Sequence, residues 1–91
     1  MDAALSVAVK PLRDRLMVLF EKSDTAYTDE QLIDTYKEAM RLWRWPAATD
    51  SGIRSRRREL VDDGLLIDTG MVGKTVTGRA SIKWGLPGRM F

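Results

Sequence analysis

The chain contains neither cysteine nor histidine. That double absence removes disulfide staples, thiolate–metal sites, the commonest zinc ligand and the commonest general acid–base group. Any catalysis would fall to carboxylates, lysine, tyrosine or hydroxyls, so neither enzymatic activity nor a metal or organic cofactor is expected. Long apolar runs are missing too: nothing approaches the roughly 20 residues that cross a bilayer. The opening stretch MDAALSVAVKPLRD lacks the positive flank that begins an export signal. The expectation is a protein with no membrane segment, working in the cytoplasm.

What the chain does have is 91 residues that are 44% hydrophobic and 31% charged, a balance that supports one small globular domain rather than a disordered segment. The core must be modest, held by helix packing and a short sheet. Net charge is only +2, but its placement is uneven: residues 1–51 hold seven Lys/Arg against nine Asp/Glu, and residues 52–91 hold eight against four. The C-terminal half is therefore the cationic one, as expected of a face that meets a polyanion.

Apolar spacing predicts a first helix over about 7–21, where Val9, Leu12, Leu16, Leu19 and Phe20 share a face and Pro11 falls in the first turn. KSDTAYT breaks the period and predicts a short strand around Ala26 and Tyr27. Thr28 followed by Gln31 forms a capping box, and Asp29 and Glu30 put negative charge where the helix dipole favours it. A second helix over about 29–42 follows, ending at Leu42 or Trp43, with Leu32, Ile33, Tyr36, Ala39, Met40 and Trp43 inward.

Asp50 or Ser51 is the expected N-cap of a third helix over about 52–63, which stops at Gly64. At 100° per residue with Ile53 as zero, Leu60 falls at about 340°, Arg57 at about 40° and Val61 at about 80°, the inward side. Arg58 at about 140° points outward, while Arg54 at about 100° and Arg56 at about 300° flank the helix. Arg57, on the buried side, should pack its stem and let its head snorkel or meet a carboxylate. A hairpin over about 65–84 comes next: LLIDT as a strand, GMVGKTVTG as the glycine-punctuated loop, and RASIKW as the return strand, with Ala80, Ile82 and Trp84 on one side. The tail 85–91 leaves the sheet.

The basic string SGIRSRRRELVDDGLL running into GKTVTGRASIKW, behind a capped second helix, resembles the winged helix-turn-helix domain over about residues 10–86. It is similar to small stand-alone winged-helix proteins of tailed bacteriophages and to the MarR-type part of that superfamily. The resemblance implies an α+β fold: three helices with a small antiparallel β-sheet and a C-terminal β-hairpin wing. It also implies sequence-selective binding of double-stranded DNA, in transcriptional regulation or site-specific recombination of a phage or mobile element. By position it makes Ser51, Arg54, Ser55 and Arg58 groove-facing, Arg56 a flank contact, and Lys74, Thr75, Thr77 and Arg79 the wing contacts.

Arginine supports that reading chemically, because its guanidinium forks onto phosphate and onto guanine, and no acid interrupts Ile53 to Arg58. A homodimer is expected, since one short helix covers too little of a site for high selectivity. The alternative is a module of the same fold that docks on a host protein through Trp45, Met71, Val72 and the tail. Trp43 and Trp84 are expected to pack, and Met71, Val72, Met90 and Phe91 to close a dimer or cover the sheet edge. Asp62, Asp63 and Asp68 do not make a two-metal nuclease, for want of partner groups at usable spacing. GMVGKT is two residues short of the phosphate-cradling spacing and precedes no helix.

Overall fold

Helical periodicity fills the first two thirds of the chain and glycine-punctuated extended segments fill the rest, and the folded molecule follows that division. A computed structural model describes residues 2–23 and 25–89, with residues 2–10 as backbone alone. The order is α1 (Asp2–Ser23), α2 (Asp29–Trp43), α3 (Asp50–Asp62), β1 (Ile67–Lys74) and β2 (Ala80–Gly85). This is an α+β arrangement of three helices followed by an antiparallel two-stranded hairpin.

Helix α1 begins earlier than its apolar spacing suggested, so Pro11 lies inside the helix rather than in its first turn. The ring removes one amide from the ladder there. The half beyond it is anchored regardless, by Leu16, Leu19 and Phe20, all buried. Val9 carries a side chain outside the described ones.

Helix α2 opens with the expected reciprocal cap. The Gln31 amide donates to Thr28 Oγ1 at 3.1 Å and the Thr28 amide donates to Gln31 Oε1 at 3.0 Å. Thr28 is itself buried, so these bonds satisfy groups that water cannot reach. Leu32, Ile33, Tyr36 and Ala39 form the buried face. Trp43 departs from expectation: it is 47% exposed rather than packed in the core. The cause is the left-handed turn at Arg44 (φ 55°), after which Trp45 takes the inward place against Tyr36. Trp43 is left on the flank of Trp45, beneath the Lys22 ammonium. The Tyr36 hydroxyl donates to the Pro46 carbonyl at 2.9 Å, fixing this turn to the helix.

The N-cap of α3 is Thr49, not Asp50 or Ser51: its extended backbone lets Oγ1 accept the Gly52 amide at 2.9 Å. Asp50 and Ser51 therefore occupy the first turn. Ile53 and Leu60 are fully inside, with Val61 half-buried, as the wheel requires. Gly64 ends the helix at φ 79°, a left-handed conformation that glycine adopts without cost.

The hairpin pairs Asp68 with Trp84, Val72 with Ile82, Gly73 with Ser81 and Lys74 with Ala80. Residues 71–74, expected in the loop, belong to β1, because a bulge between Asp68 and Val72 absorbs the extra length. Asp68 Oδ1 accepts the Gly70 amide inside that bulge, and the Thr69 hydroxyl donates to the Lys83 carbonyl. The strand expected around Ala26 and Tyr27 is a single bridge, Tyr27 and Trp84 exchanging backbone bonds of 2.9 and 2.8 Å. Ile82 does not share the burial of Trp84; it lies further out along the hairpin, 41% exposed beside Val72. In the tail Leu86 packs on the core, while Met90 and Phe91 lie outside the described residues.

Candidate nucleic-acid interface

Four arginines stand on two turns of α3, and the fold divides them by partner. Arg57 faces inward, where its Nε and a terminal nitrogen donate to the two carboxylate oxygens of Asp29 at 2.7 and 2.8 Å. Its guanidinium carbon also lies 4.3 Å from the centre of the Trp84 ring. One side chain thus joins α3 to the first turn of α2 and to β2, and the aliphatic residue that a helix core would ordinarily place here is replaced by a three-element clamp. Arg57 is spent on structure.

Arg56 is half-committed. It pairs with Glu59 one turn later at 2.6 Å, and its Nε is buried without a hydrogen-bond partner. A phosphate could take Arg56 only in competition with Glu59. Arg54 and Arg58 differ from both: they are exposed and form no ion pair or side-chain hydrogen bond among the described residues. On the helical wheel they follow Arg57 by about 60° and 100°. Ser51 and Ser55 are exposed, Ser51 beside the helix start.

The cationic face has limits. Asp62, exposed, lies one turn beyond Arg58. Asp63 and Asp50 are neutralised by Arg13 and Lys37, the second pair at 3.2 Å. Positive charge on α3 is thus strongest from Arg54 to Arg58, between Asp50 in the first turn and Asp62 at the end.

The hairpin tip is a tight, internally bonded loop. The Thr75 amide donates to the Arg79 carbonyl and the Gly78 amide to the Thr75 carbonyl, both at 2.9 Å, with Gly78 at φ 83°. Thr75 Oγ1 accepts the Arg79 amide at 3.2 Å and lies 2.9 Å from the Thr77 hydroxyl. Both threonine hydroxyls therefore serve the turn, Thr75 from a half-buried place and Thr77 from an exposed one. Lys74 and Arg79 flank the tip, exposed and without side-chain partners among the described residues. The Val76 amide donates to the Glu30 carboxylate at 3.1 and 3.5 Å, which ties the tip to the start of α2.

Two of these contacts escaped the sequence. Asp29 and Glu30 read there only as dipole-compensating acids, yet one holds Arg57 and the other the hairpin tip. The available signal was a lone arginine on an inward helix face, which requires an acid from elsewhere in the chain. Among the described residues no cluster of three or more acidic, histidine or cysteine side chains is placed to hold a metal ion, and no helix is long and apolar enough to cross a membrane. No protein family, curated protein or solved structure matches this chain.

Proposed function

We propose that the chain is a winged helix-turn-helix protein that binds double-stranded DNA selectively, through α3 and the wing formed by β1 and β2, and acts in transcriptional regulation or site-specific recombination of a phage or mobile element. The observation that carries this reading is the sorting of the arginines: Arg56 and Arg57 are held by acids, whereas Arg54 and Arg58 stand open on α3. An α-helix fits the major groove, where a guanidinium can fork onto the N7 and O6 of guanine. Lys74 and Arg79 would meet the neighbouring backbone, with Ser51, Ser55 and Thr77 as hydroxyl donors to phosphate and Arg56 on the flank. Thr75 supports the tip rather than the contact.

One helix of this length reads few base pairs, so binding as a homodimer on paired half-sites is part of the proposal. The test is a mobility shift on duplexes selected from a random pool. Arg54→Ala and Arg58→Ala should each weaken the selected duplex by about 1–3 kcal/mol with folding unchanged. Wild-type affinity in both variants would sink the recognition-helix assignment. The second reading, docking on a host protein, draws support from the exposure of Met71 and Val72. It predicts that substituting these two, and not the arginines, abolishes partner capture.

A further inference from the structure

Arg15 is the one charged side chain lining a cavity of about 500 Å³ between α1, α2 and the turn that leads into α3. Pro11, Leu12, Pro46, Ala47 and Ala48 make most of its wall apolar. Arg13, Arg56 and Arg57 are half-buried like Arg15, and each of them meets a carboxylate. Arg15 forms no ion pair among the described residues. Its charge faces the Tyr36 hydroxyl, which is neutral and already donates to the Pro46 carbonyl. Thr49 Oγ1, also on the lining, is taken by the Gly52 amide. The polar groups left to an occupant are therefore the donors of a guanidinium, whose planar fork matches a carboxylate. A carboxylate alone is far smaller than the cavity, so the group that carries it must bring apolar bulk.

The wall also offers open backbone. Residues 44–49 join α2 to α3 without regular structure, and neither Ala47 nor Ala48 makes a hydrogen bond among the described residues. Two consecutive residues thus present donors and acceptors to a chain laid alongside them, as an unpaired strand does. A small organic acid would use the cation and the apolar wall and leave these groups idle. On the α3 wheel Gly52, which borders the cavity, lies about 160° from Arg54 and about 120° from Arg58. An occupant therefore sits behind α3 and leaves the open arginines uncovered.

We propose that this cavity docks an extended acidic segment of a partner protein, with an aspartate or glutamate forked onto Arg15 and a neighbouring apolar side chain packed against Pro11, Leu12 and Ala48. The surface is distinct from Met71 and Val72 and from the DNA contacts, so it stands or falls apart from both readings above. The experiment selects end-blocked heptapeptides from a fully randomised pool on the immobilised full chain, then measures the enriched sequences by fluorescence anisotropy. Enriched peptides should carry an acid within two positions of an aromatic or large aliphatic residue. Their binding should shift the amide resonances of Ala47 and Ala48 and the side chain of Arg15, and leave Arg54 and Arg58 unmoved. Arg15→Gln should weaken binding by about 10–100-fold, the loss of a charge-assisted bond. Arg15→Glu should reverse the preference, favouring the peptide whose acid is replaced by lysine, a readout that a folding defect does not produce. Ala47→Trp, at an exposed position, should exclude the peptide with the melting temperature unchanged. A pool that yields no acidic consensus, equal affinity in wild type and Arg15→Gln, or resonance shifts confined to the hairpin would overturn the docking site. Phenylacetate binding as tightly as the best peptide would overturn it too, because the open backbone would then contribute nothing.

Discussion

Cutting the Arg57 clamp gives the sharpest test of how the helices are held. Arg57→Ala removes a bidentate pair and a stacked cation whose two side chains are 15% and 23% exposed, between a surface pair and a buried one. Surface pairs contribute about 0–1 kcal/mol and breaking a buried pair costs about 3–5, so a loss of about 2–3 kcal/mol is expected, including the ring contact. For 91 residues the unfolding entropy makes each kcal/mol worth about 5 °C, so the melting temperature should drop by about 10–15 °C. Urea melts of Arg57→Met, Asp29→Asn and the double variant separate charge from packing. Methionine keeps the stem over Trp84, and the cycle should return a coupling of about 1–2 kcal/mol. A loss below about 0.5 kcal/mol in Arg57→Ala, or zero coupling with Asp29, would refute the clamp. Arg57→Met should leave duplex affinity within about twofold of wild type, since that head is already engaged.

Three other outcomes follow from local geometry. Thr49→Ala should cost about 1 kcal/mol in chemical denaturation, whereas Ser51→Ala should be nearly neutral, because Thr49 holds the Gly52 amide. Gly78→Ala should cost about 1 kcal/mol and loosen the hairpin tip in hydrogen exchange, since φ 83° strains any side chain. Burial raises the Tyr36 hydroxyl above its ordinary 10.0, against a smaller lowering by Arg15. The unfolded chain therefore loses this proton first, so the stability that Tyr36 contributes is complete below about pH 10 and is lost as pH rises further. Tyr36→Phe should flatten that alkaline decline in pH-resolved melts and cost about 1 kcal/mol at neutral pH, from the lost bond to Pro46.

Local signals in the chain were enough for the elements but not for their meetings. The Thr28 capping box, the Gly64 stop and the Ile53, Leu60 and Val61 stripe are short-range features, and each is found where the spacing put it. The Thr49 cap was missed because Asp50 and Ser51 are equally good cap formers and only the backbone angle chooses among them. Trp43 turned outward for a reason no wheel contains, a left-handed residue just past the helix end. Bulge and hairpin register depend on Gly70 and on bonds between strands, so the strand limits moved. Of the candidate site, the four arginines and the two tip cations were visible at once. Which arginines stay open was not, because that depends on Asp29 from a distant part of the chain and on which arginine Glu59 reaches.

The central claim is that the open cations of α3 and the hairpin tip neutralise DNA phosphates together, and the salt dependence of duplex affinity measures it directly. With about five phosphates contacted, log K should fall against log salt with a slope near about −4.5, and Lys74→Ala should reduce the slope by about one. A flat response across the series would contradict the claim.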